Sequence, residues 1–275
     1  MSEASAEPLR ALLLYTGYYK NTLFVGPVIL RHGHEPVFWK AFRGTKELEL
    51  ELRRVEGVRV LIGGSLRMAN GHHVGAEVIQ YQHLPRSKRR LSEATLAQVA
   101  IEMGWRAQSA AVTRETFGVD PAVVLDAARV REFADVTGIL DPTVVDDLLT
   151  DLPRCLAAEL YLSHGDFTGR NVFSLYGGGV GVVDYDAVGM RPAFFDVVHL
   201  VCQSSVDAGR QPPVAELQGL LASVVGASRA REHLRLCLFW DWYENMLQYL
   251  DHPENRGRTG AAVALRLAAW RQCRE

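Results

Sequence analysis

The sequence has few cysteines and no long apolar run, and each absence excludes a class of protein. The four cysteines, Cys155, Cys202, Cys237 and Cys273, are far apart and form no C-x-x-C pair. This spacing excludes a zinc-ribbon site and a disulfide framework and indicates reduced thiols in a cytoplasmic protein. No apolar span reaches the roughly 18 residues that a membrane helix needs. Residues 1–15 lack a positive region ahead of their apolar run, so we expect no secretory signal.

The chain also lacks a large charge of either sign. Its formal net charge is −2 over 275 residues, which gives no electrostatic reason to expect a nucleic-acid or membrane partner. The main basic run, "RSKRR" at 86–90, is short and is interpreted as a solvated loop. A hydrophobic content of 48% predicts a globular protein with ample core material. The length allows one large domain or two modest lobes.

The first 84 residues have the pattern of a small, mostly antiparallel sheet with one helix. Short apolar runs separated by polar turns predict strands within 11–42. Residues 45–55, "TKELELELRRV", alternate like a strand but consist of strong helix formers, and we favour a helix. Two further strands, at 59–69 and 73–84, are separated by Asn70-Gly71, which predicts a hairpin.

After Pro85 the pattern becomes helical. A helix is predicted at 92–110, and Asp120-Pro121 and Asp141-Pro142 each resemble an N-cap followed by proline at the first helical position. A short hairpin turning at 177–179 interrupts the helices. The sequence thus predicts an α+β protein with a smaller lobe at 1–84 and a larger lobe at 85–275. Four more helices are expected after the hairpin, at 192–206, 213–225, 229–250 and 259–272.

A polar cluster, "HGDFTGRN" at 164–171, contains the strongest indication of chemistry. The hairpin that follows it ends at Asp184, so that the antiparallel return could bring Asp166, Asn171 and Asp184 together. Two carboxylates and an amide oxygen are hard donors that suit Mg²⁺ better than zinc. Phosphoryl transfer needs such a metal, a carboxylate facing the acceptor hydroxyl, and a lysine on a strand to hold phosphate. Lys40 in "VFWKAF" is the candidate lysine.

These motifs resemble those of the aminoglycoside phosphotransferase and choline-kinase superfamily, the small-molecule relatives of protein kinases. "HGDFTGRN" is similar to the family's H-G-D-x-x-x-x-N loop, and "GVVDYDAVGMRPAFFDVV" at 181–198 to its I-D-x-x-x-x-G-x-x-x-x-D segment. The resemblance implies a protein-kinase-like bilobal fold with a nucleotide-binding N-terminal lobe and a catalytic, substrate-binding C-terminal lobe. It also implies a phosphotransferase that uses ATP, or GTP, together with Mg²⁺.

The resemblance assigns roles to the reactive residues. Asp166 corresponds to the base that orients the substrate hydroxyl, and Asn171 and Asp184 to the Mg²⁺ ligands. Lys40 corresponds to the phosphate-binding lysine. Asp186 is left open between a metal contact and the second acidic residue often found in this segment.

The same resemblance assigns supporting roles. Asp196 corresponds to a carboxylate that braces the catalytic loop, and His164 to a residue that orients the loop without carrying protons. Glu51 is expected to pair with Lys40, because it lies on the face opposite Leu48 and Leu52, with Glu47 as the alternative.

The nucleotide site is expected to draw on two further segments. Thr16 and Asn21 lie in the loop that resembles the family's nucleotide loop, although "TGYYKN" has one glycine and two tyrosines. The segment 79–84 lies at the expected hinge, where the backbone around Tyr81 and His83 would bind the adenine. Arg170 is bulkier than the family's usual residue and is left without a role.

The acceptor is expected to be a small hydroxylated molecule. In 239–255, Asp241 and Glu244 are interleaved with aromatic residues, which suits a cationic ligand, although aromatics at helical spacing are more often core. An antibiotic is favoured, and phosphorylation would confer resistance. A metabolite such as choline, homoserine or a sugar derivative, and a catalytically silent binding protein, are the alternatives. The oligomeric state is left open.

Overall fold

The computed structural model describes most of the chain, and its first sheet forms the smaller part of the molecule. The described residues are 22–28, 37–75, 77–110, 123–138 and 140–274. The sheet is antiparallel throughout and places Lys40 in an inner strand, opposite Ile79. In spatial order its strands are β1 (Thr22–Val28), β2 (Val37–Phe42), β5 (Val78–Gln82) and β4 (Gly71–Gly75).

Helix α1 (Thr45–Leu61) follows the second strand and confirms the helical interpretation of "TKELELELRRV". Its buried residues include Leu48, Glu51 and Val55. Spacings of three and four residues place all three on one face of the helix. The expectation that Glu51 faces away from Leu48 was therefore wrong. A carboxylate can occupy this buried face because Lys40 and Tyr81 both donate hydrogen bonds to it.

The expected hairpin at Asn70-Gly71 is wrong. Strand β3 (Leu66–Met68) does not pair with β4. It runs parallel to β8 (Val180–Val182), more than a hundred residues later. The strand expected at 73–84 is divided into β4 and β5, which pair with each other, and Gly75 at its break has a φ of 128°. A long-range pairing has thus overridden the local turn signal.

The hairpin expected at 177–179 is confirmed. Strand β7 (Val172–Ser174) pairs antiparallel with β8, and the connecting Gly177, Gly178 and Gly179 all have positive φ values. The flanking strands β6 (Leu160–Ser163) and β9 (Gly189–Pro192) pair with each other. This arrangement carries the chain from the polar cluster to Asp184 and back to the core.

Helices form the remainder of the described chain, and they confirm the four that were expected after the hairpin. Three precede the polar cluster and four follow the hairpin, with a short 3₁₀ turn at Pro253–Asn255. In chain order they are α2 (Glu93–Ser109), α3 (Ala127–Thr137), α4 (Pro142–Leu156), α5 (Phe195–Asp207), α6 (Val214–Val225), α7 (Ala227–Asp251) and α8 (Arg256–Arg274).

Side-chain caps begin helices α2, α3 and α4, whereas α1 has none. The side chains of Ser92, Asp126 and Asp141 accept hydrogen bonds from the backbone of the first turns of α2, α3 and α4, respectively. Pro142 occupies the first position of α4, as the sequence predicts. The expected cap at Asp120-Pro121 lies outside the described residues.

No helix in the described part of the chain is both long enough and apolar enough to cross a bilayer. All four cysteines are buried and make no disulfide.

The packing of α2 on the start of α5 leaves no room for a side chain at Gly104. A Cβ there would lie 2.6 Å from Cδ1 of the buried Phe194. We expect Gly104→Ala to destabilise the protein by about 1–3 kcal/mol through overpacking, measured by urea denaturation. Gly219→Ala in α6 is the control, since a Cβ there meets nothing within 4 Å and should be neutral or stabilising. Equal effects of the two substitutions would contradict this packing.

Candidate active site

Lys40 lies at the centre of a buried polar group beneath the first sheet. Its ammonium donates to Glu51 at 2.9 Å and also contacts the Asp186 carboxylate. The Tyr81 hydroxyl donates to the same Glu51 oxygen at 2.6 Å. Burial alone would lower the pKa of Lys40, but the carboxylates of Glu51 and Asp186 raise it above its usual value. Lys40 therefore carries a fixed positive charge, as a group that binds phosphate requires.

These contacts decide which of the two candidate glutamates pairs with Lys40. Lys40 pairs with Glu51, the residue that the sequence favoured over Glu47. Asp186 is a second partner of Lys40. The roles of Lys40 and Glu51 in nucleotide binding stay predictions, because the contacts show only that the pair is formed.

A cavity of about 430 Å³ lies against this group. Lys40 and Glu51 line one side of it, and Asn171 and Asp184 line another. The segment 81–84 forms a further wall, where the backbone of a hinge would meet an adenine. Tyr81 and His83, expected at the nucleotide site, thus line the same cavity as the candidate metal ligands, whereas Thr16 and Asn21 lie outside the described residues.

Asn171 and Asp184 each offer a side-chain oxygen that no described residue hydrogen-bonds. The amide nitrogen of Asn171 donates to the carbonyl and carboxylate oxygens of Asp166, at 3.0 and 2.7 Å. Among the described residues, none donates to the side-chain amide oxygen (Oδ1) of Asn171 or to the Asp184 carboxylate, whereas the backbone carbonyl of Asn171 accepts from the Val183 nitrogen at 2.9 Å. Asp184 is in the left-handed conformation, with φ of 65°. Its burial, and then the nearby Asp186 carboxylate, raise the pKa of Asp184 above its usual value.

This donor set fits Mg²⁺. Within the described chain, no group of three or more His, Cys, Asp or Glu residues could hold a metal. Mg²⁺ does not need such a cage, because it keeps several waters and is commonly held by one or two carboxylates together with phosphate oxygens. One amide and one carboxylate oxygen facing a nucleotide-sized cavity are compatible with that mode of binding.

Asp196 fixes the backbone of the candidate catalytic loop, residues 164–171. Its two carboxylate oxygens accept hydrogen bonds from the backbone nitrogens of His164 and Gly165, each at 2.8 Å. The fully buried His164 ring hydrogen-bonds to the carbonyl oxygen of Val183, next to Asp184. Asp196 and His164 thus make contacts that would brace and orient this loop, and the roles assigned to them stay predictions.

Asp166 lies at the boundary of a second, larger cavity of about 1180 Å³. Its side chain is about half exposed, and one oxygen is held by Asn171. The nearby His199 imidazole lowers the pKa of Asp166 against the opposing effect of burial. Asp166 is therefore an ionised carboxylate that is open to a ligand, as a base that receives a hydroxyl proton must be.

His199 is a residue of the site that no sequence motif indicates. It follows Asp196 by one turn of α5, and its Nε2 is 3.8 Å from Asp166 Oδ1. Its Nδ1 donates to Asp241 at 2.7 Å, and Asp241 in turn accepts from Arg266 at 2.7 Å. A single histidine in the apolar run "DVVHL" has no distinctive pattern. Its i, i+3 spacing from Asp196 was the only available signal.

The expectation that Asp241 contacts a ligand was wrong. Its side chain is 1% exposed, and its two oxygens bind His199 and Arg266. Helix α7 is buried on several sides here, so the aromatic residues around Asp241 belong to the core. Glu244 does line the larger cavity, but its carboxylate is paired with the Arg191 guanidinium at 2.6 Å. The acidic wall expected for a cationic ligand is therefore not formed.

Arg170 is exposed and lies between the two cavities. Its guanidinium is 4.0 Å from the Asp207 carboxylate, with 76% of the side chain accessible. Arg86, Arg170 and Phe173 line both cavities. Arg170 is therefore placed where a group passing from one cavity to the other would meet it.

Comparisons with known proteins identify the family of the chain. A family model described as the phosphotransferase enzyme family matches residues 79–237, more than half of the chain. No curated protein matches the sequence.

Several solved structures share the fold. The amicoumacin kinase hAmiN, in complex with AMP-PNP, Ca²⁺ and Ami, matches with a TM-score of 0.59 and 13% identity over 97% of this chain and 89% of that one. The gentamicin complex of APH(2″)-IIa matches with a TM-score of 0.56 and 13% identity, over 94% of this chain and 90% of that one. The choline kinase of Cryptosporidium parvum Iowa II matches with a TM-score of 0.58 and 12% identity, over 99% of this chain and 90% of that one. At such identities the likeness establishes the fold, and the expected α+β, protein-kinase-like bilobal fold is confirmed.

The network around His199 predicts a pH-dependent stability. Burial and Arg266 lower the pKa of His199, but Asp166 and Asp241 raise it to about 9. This value exceeds the usual value near 6.5 for an unfolded chain, so the stabilisation is complete below about pH 6.5 and is lost as the pH rises through 9. We expect His199→Gln to lower the free energy of unfolding by on the order of 3 kcal/mol at pH 6, and by progressively less toward pH 9.

The measurement is urea denaturation of both proteins across pH 6–9. His72→Gln, at an exposed position on β4, is the control and should cost little. A stability difference between wild type and His199→Gln that stayed constant over this range would contradict the charged state assigned to His199.

Proposed function

Since the chain belongs to the phosphotransferase enzyme family, we propose that it transfers the γ-phosphate of ATP to a hydroxyl group of a small molecule, with Mg²⁺ as the metal. The enzyme class follows from the family. The related structures that hold AMP-PNP or ADP support a nucleotide donor. Because the cavity contacts named above do not distinguish adenine from guanine, GTP is the alternative donor. A cytoplasmic location, where such nucleotides are available, completes the proposal.

One observation carries the proposal, namely that two cavities meet at a hydrogen-bonded pair. Asp166 lines the larger cavity and Asn171 the smaller, and the 2.7 Å bond between their side chains joins the two. A nucleotide in the smaller cavity would direct its terminal phosphate toward Asp166. An acceptor in the larger cavity would then have its hydroxyl between Asp166 and that phosphate, which is the in-line arrangement that phosphoryl transfer needs.

The residues divide the work of the reaction. Lys40, held by Glu51 and Asp186, binds the phosphates of the nucleotide. Asn171 and Asp184 would hold Mg²⁺, which would neutralise phosphate charge. The acceptor oxygen forms a bond to the γ-phosphorus while the bond from that phosphorus to the β,γ-bridging oxygen breaks, and ADP leaves. Asp166 orients the hydroxyl and receives its proton.

The acceptor we favour is a hydroxylated antibiotic, whose phosphorylation would confer resistance. Kinases of antibiotics and of choline share this fold, so a metabolite such as choline, homoserine or a sugar derivative is the alternative. A catalytically silent binding protein is disfavoured, because Lys40, Asp166, Asn171 and Asp184 are all present. The cationic character first expected of the acceptor has lost its basis with the burial of Asp241 and the pairing of Glu244.

The experiment that tests the function is a screen for acceptor-dependent ADP release. The panel comprises aminoglycosides, cyclic peptide antibiotics, nucleoside antibiotics, macrolides, choline and homoserine, each offered with ATP or GTP and Mg²⁺. An acceptor that stimulates ADP release, with a phosphorylated product seen by mass spectrometry, would support the proposal. No phosphorylated product with any hydroxylated compound would count against it.

We expect Asp166→Ala to lower the rate of acceptor phosphorylation by about 10²–10⁴-fold, because the hydroxyl loses its orienting carboxylate. Steady-state ADP release checks this, and circular dichroism checks that the fold is retained. Asp135→Ala, which removes an exposed carboxylate from α3, should leave the rate unchanged. Turnover at the wild-type rate in Asp166→Ala would show that another group is the base.

We expect Asp184→Asn to lose most of the Mg²⁺-dependent part of nucleotide binding. Asparagine also tolerates the left-handed conformation, so this substitution removes the charge without straining the backbone. The measurement is calorimetric binding of ADP to wild type and variant, in Mg²⁺ and in EDTA. If Mg²⁺ strengthened binding equally in both proteins, Asp184 would not be a metal ligand.

A further inference from the structure

The basic segment Arg86–Arg90 lies along the larger cavity. The sequence analysis interpreted it as a solvated loop, and its three consecutive cations Lys88, Arg89 and Arg90 are indeed exposed. All of its residues nevertheless line the cavity that contains Asp166. A short charged run that is unremarkable in the sequence thus forms part of the wall where the acceptor would bind.

The backbone of the basic segment is fixed to the hairpin formed by β7 and β8. Arg86 forms a β-bridge with Leu175, and the backbone nitrogen of Ser87 donates to the carbonyl of Ser174 at 2.8 Å. The Ser174 hydroxyl donates to the carbonyl of Arg89. The segment is therefore held in position relative to the loop that carries Asp166, while its longer side chains stay exposed to the cavity.

Arg86 differs from the three cations that follow it. Its guanidinium donates to the carbonyl of Gly169 at 3.3 Å and lies 5.0 Å from the ring centroid of Phe173. It also lines both cavities, as Arg170 does, so a transferred phosphate would meet both. Lys88, Arg89 and Arg90 line only the larger cavity. They are the residues in a position to select the acceptor.

The carboxylates of the larger cavity do not compensate these charges. Glu244 is paired with Arg191. Asp207 accepts a hydrogen bond from Gln203 at 2.7 Å and lies 4.0 Å from the Arg170 guanidinium. Asp251 is held by Arg129 on α3. Asp166, the remaining described acidic residue of this cavity, lies 3.8 Å from His199.

The side chains of Lys88, Arg89 and Arg90 make no ion pair or hydrogen bond with any described residue. The described wall of the cavity thus has an excess of positive charge opposite the base. Such a wall attracts an anion and repels a cation, and guanidinium groups bind phosphate and carboxylate through paired hydrogen bonds.

We propose that the acceptor carries an anionic group, a phosphate or a carboxylate, in addition to the hydroxyl that receives the new phosphate. Lys88, Arg89 and Arg90 bind this group at the mouth of the larger cavity, while Asp166 holds the hydroxyl inside it. The proposal rests on the function proposed above and names the charge class of its substrate. It replaces the cationic acceptor that the interleaved aromatic and acidic residues suggested.

The first test measures binding, so it does not depend on turnover. The smaller cavity is filled with a non-hydrolysable ATP analogue and Mg²⁺, and four probes are titrated by ligand-observed NMR. Glycerol 3-phosphate and glycerate supply the two anionic groups, glycerol is the neutral control and choline the cation. We expect the anionic probes to bind wild type at least roughly tenfold more tightly than glycerol or choline, and less tightly as salt is raised. The stronger of the two identifies the group.

Charge-reversal variants locate the site. The triple variant Lys88→Glu, Arg89→Glu, Arg90→Glu should weaken anionic probe binding by at least roughly tenfold, and the triple Gln variant should fall between it and wild type. The control reverses three exposed arginines outside both cavities, in Arg53→Glu, Arg131→Glu, Arg154→Glu, and should bind like wild type. Equal affinity of wild type and the Glu variant for both anionic probes would overturn the proposal.

The second test measures turnover and separates the two proposals. Matched hydroxylated compounds, with and without a phosphate or carboxylate, are added to the acceptor screen. We expect a higher kcat/KM for the anionic member of each pair. In the triple Glu variant this advantage should be lost because KM for the anionic acceptor rises, while KM for ATP stays unchanged. Turnover of cationic or neutral acceptors alone would overturn the anionic assignment and leave the phosphotransferase standing. Anionic binding that depends on the basic segment, with no turnover of any acceptor, would support the site and count against the function.

Discussion

The active-site arrangement depends on one carboxylate, that of Asp196, accepting two backbone hydrogen bonds. These bonds fix His164 and Gly165 and thereby set the position from which Asp166 leaves the loop. The geometry at Gly165 admits no alternative residue, since its φ is 83° and a Cβ would lie 2.3 Å from the carbonyl oxygen of Ala187. The loop is thus held on both sides, which would preorganise Asp166 for the role proposed above.

Around this loop, neighbouring charges are arranged in alternation. From the core outward, the Arg266 cation faces the Asp241 anion, which faces the protonated His199, which faces Asp166. Each buried charge has a partner of opposite sign, and this compensates the cost of removing it from water. The final carboxylate, on Asp166, is about half exposed, so it is the one member of the series that a ligand can reach.

The sequence predicted those parts of the candidate site whose residues lie close together along the chain. The loop at 164–171 and its return to Asp184 lie within one hairpin, so their convergence follows from local pairing. One failure is local: the i, i+3 spacing of Leu48 and Glu51 already places them on one face of α1. The others involve distant contacts. Asn70-Gly71 is a good turn signal overridden by pairing with a strand formed much later in the chain. Burial on several sides of α7 gives no periodicity that could reveal the environment of Asp241. The surroundings of residues 86–90 and of His199 depend on the tertiary fold alone, so no local pattern predicts them.

The parallel pairing of β3 with β8 has a consequence for how such a protein can be recombined. By chain position β3 belongs to the first 84 residues, but by hydrogen bonding it belongs to the hairpin that ends beside Asp184. A fragment or chimaera divided at residue 84 would leave β3 without this partner and β8 with one edge unpaired. Leu66, Met68 and the hairpin strands therefore form one structural unit, and an exchange of N-terminal segments between relatives has to carry both parts of it together.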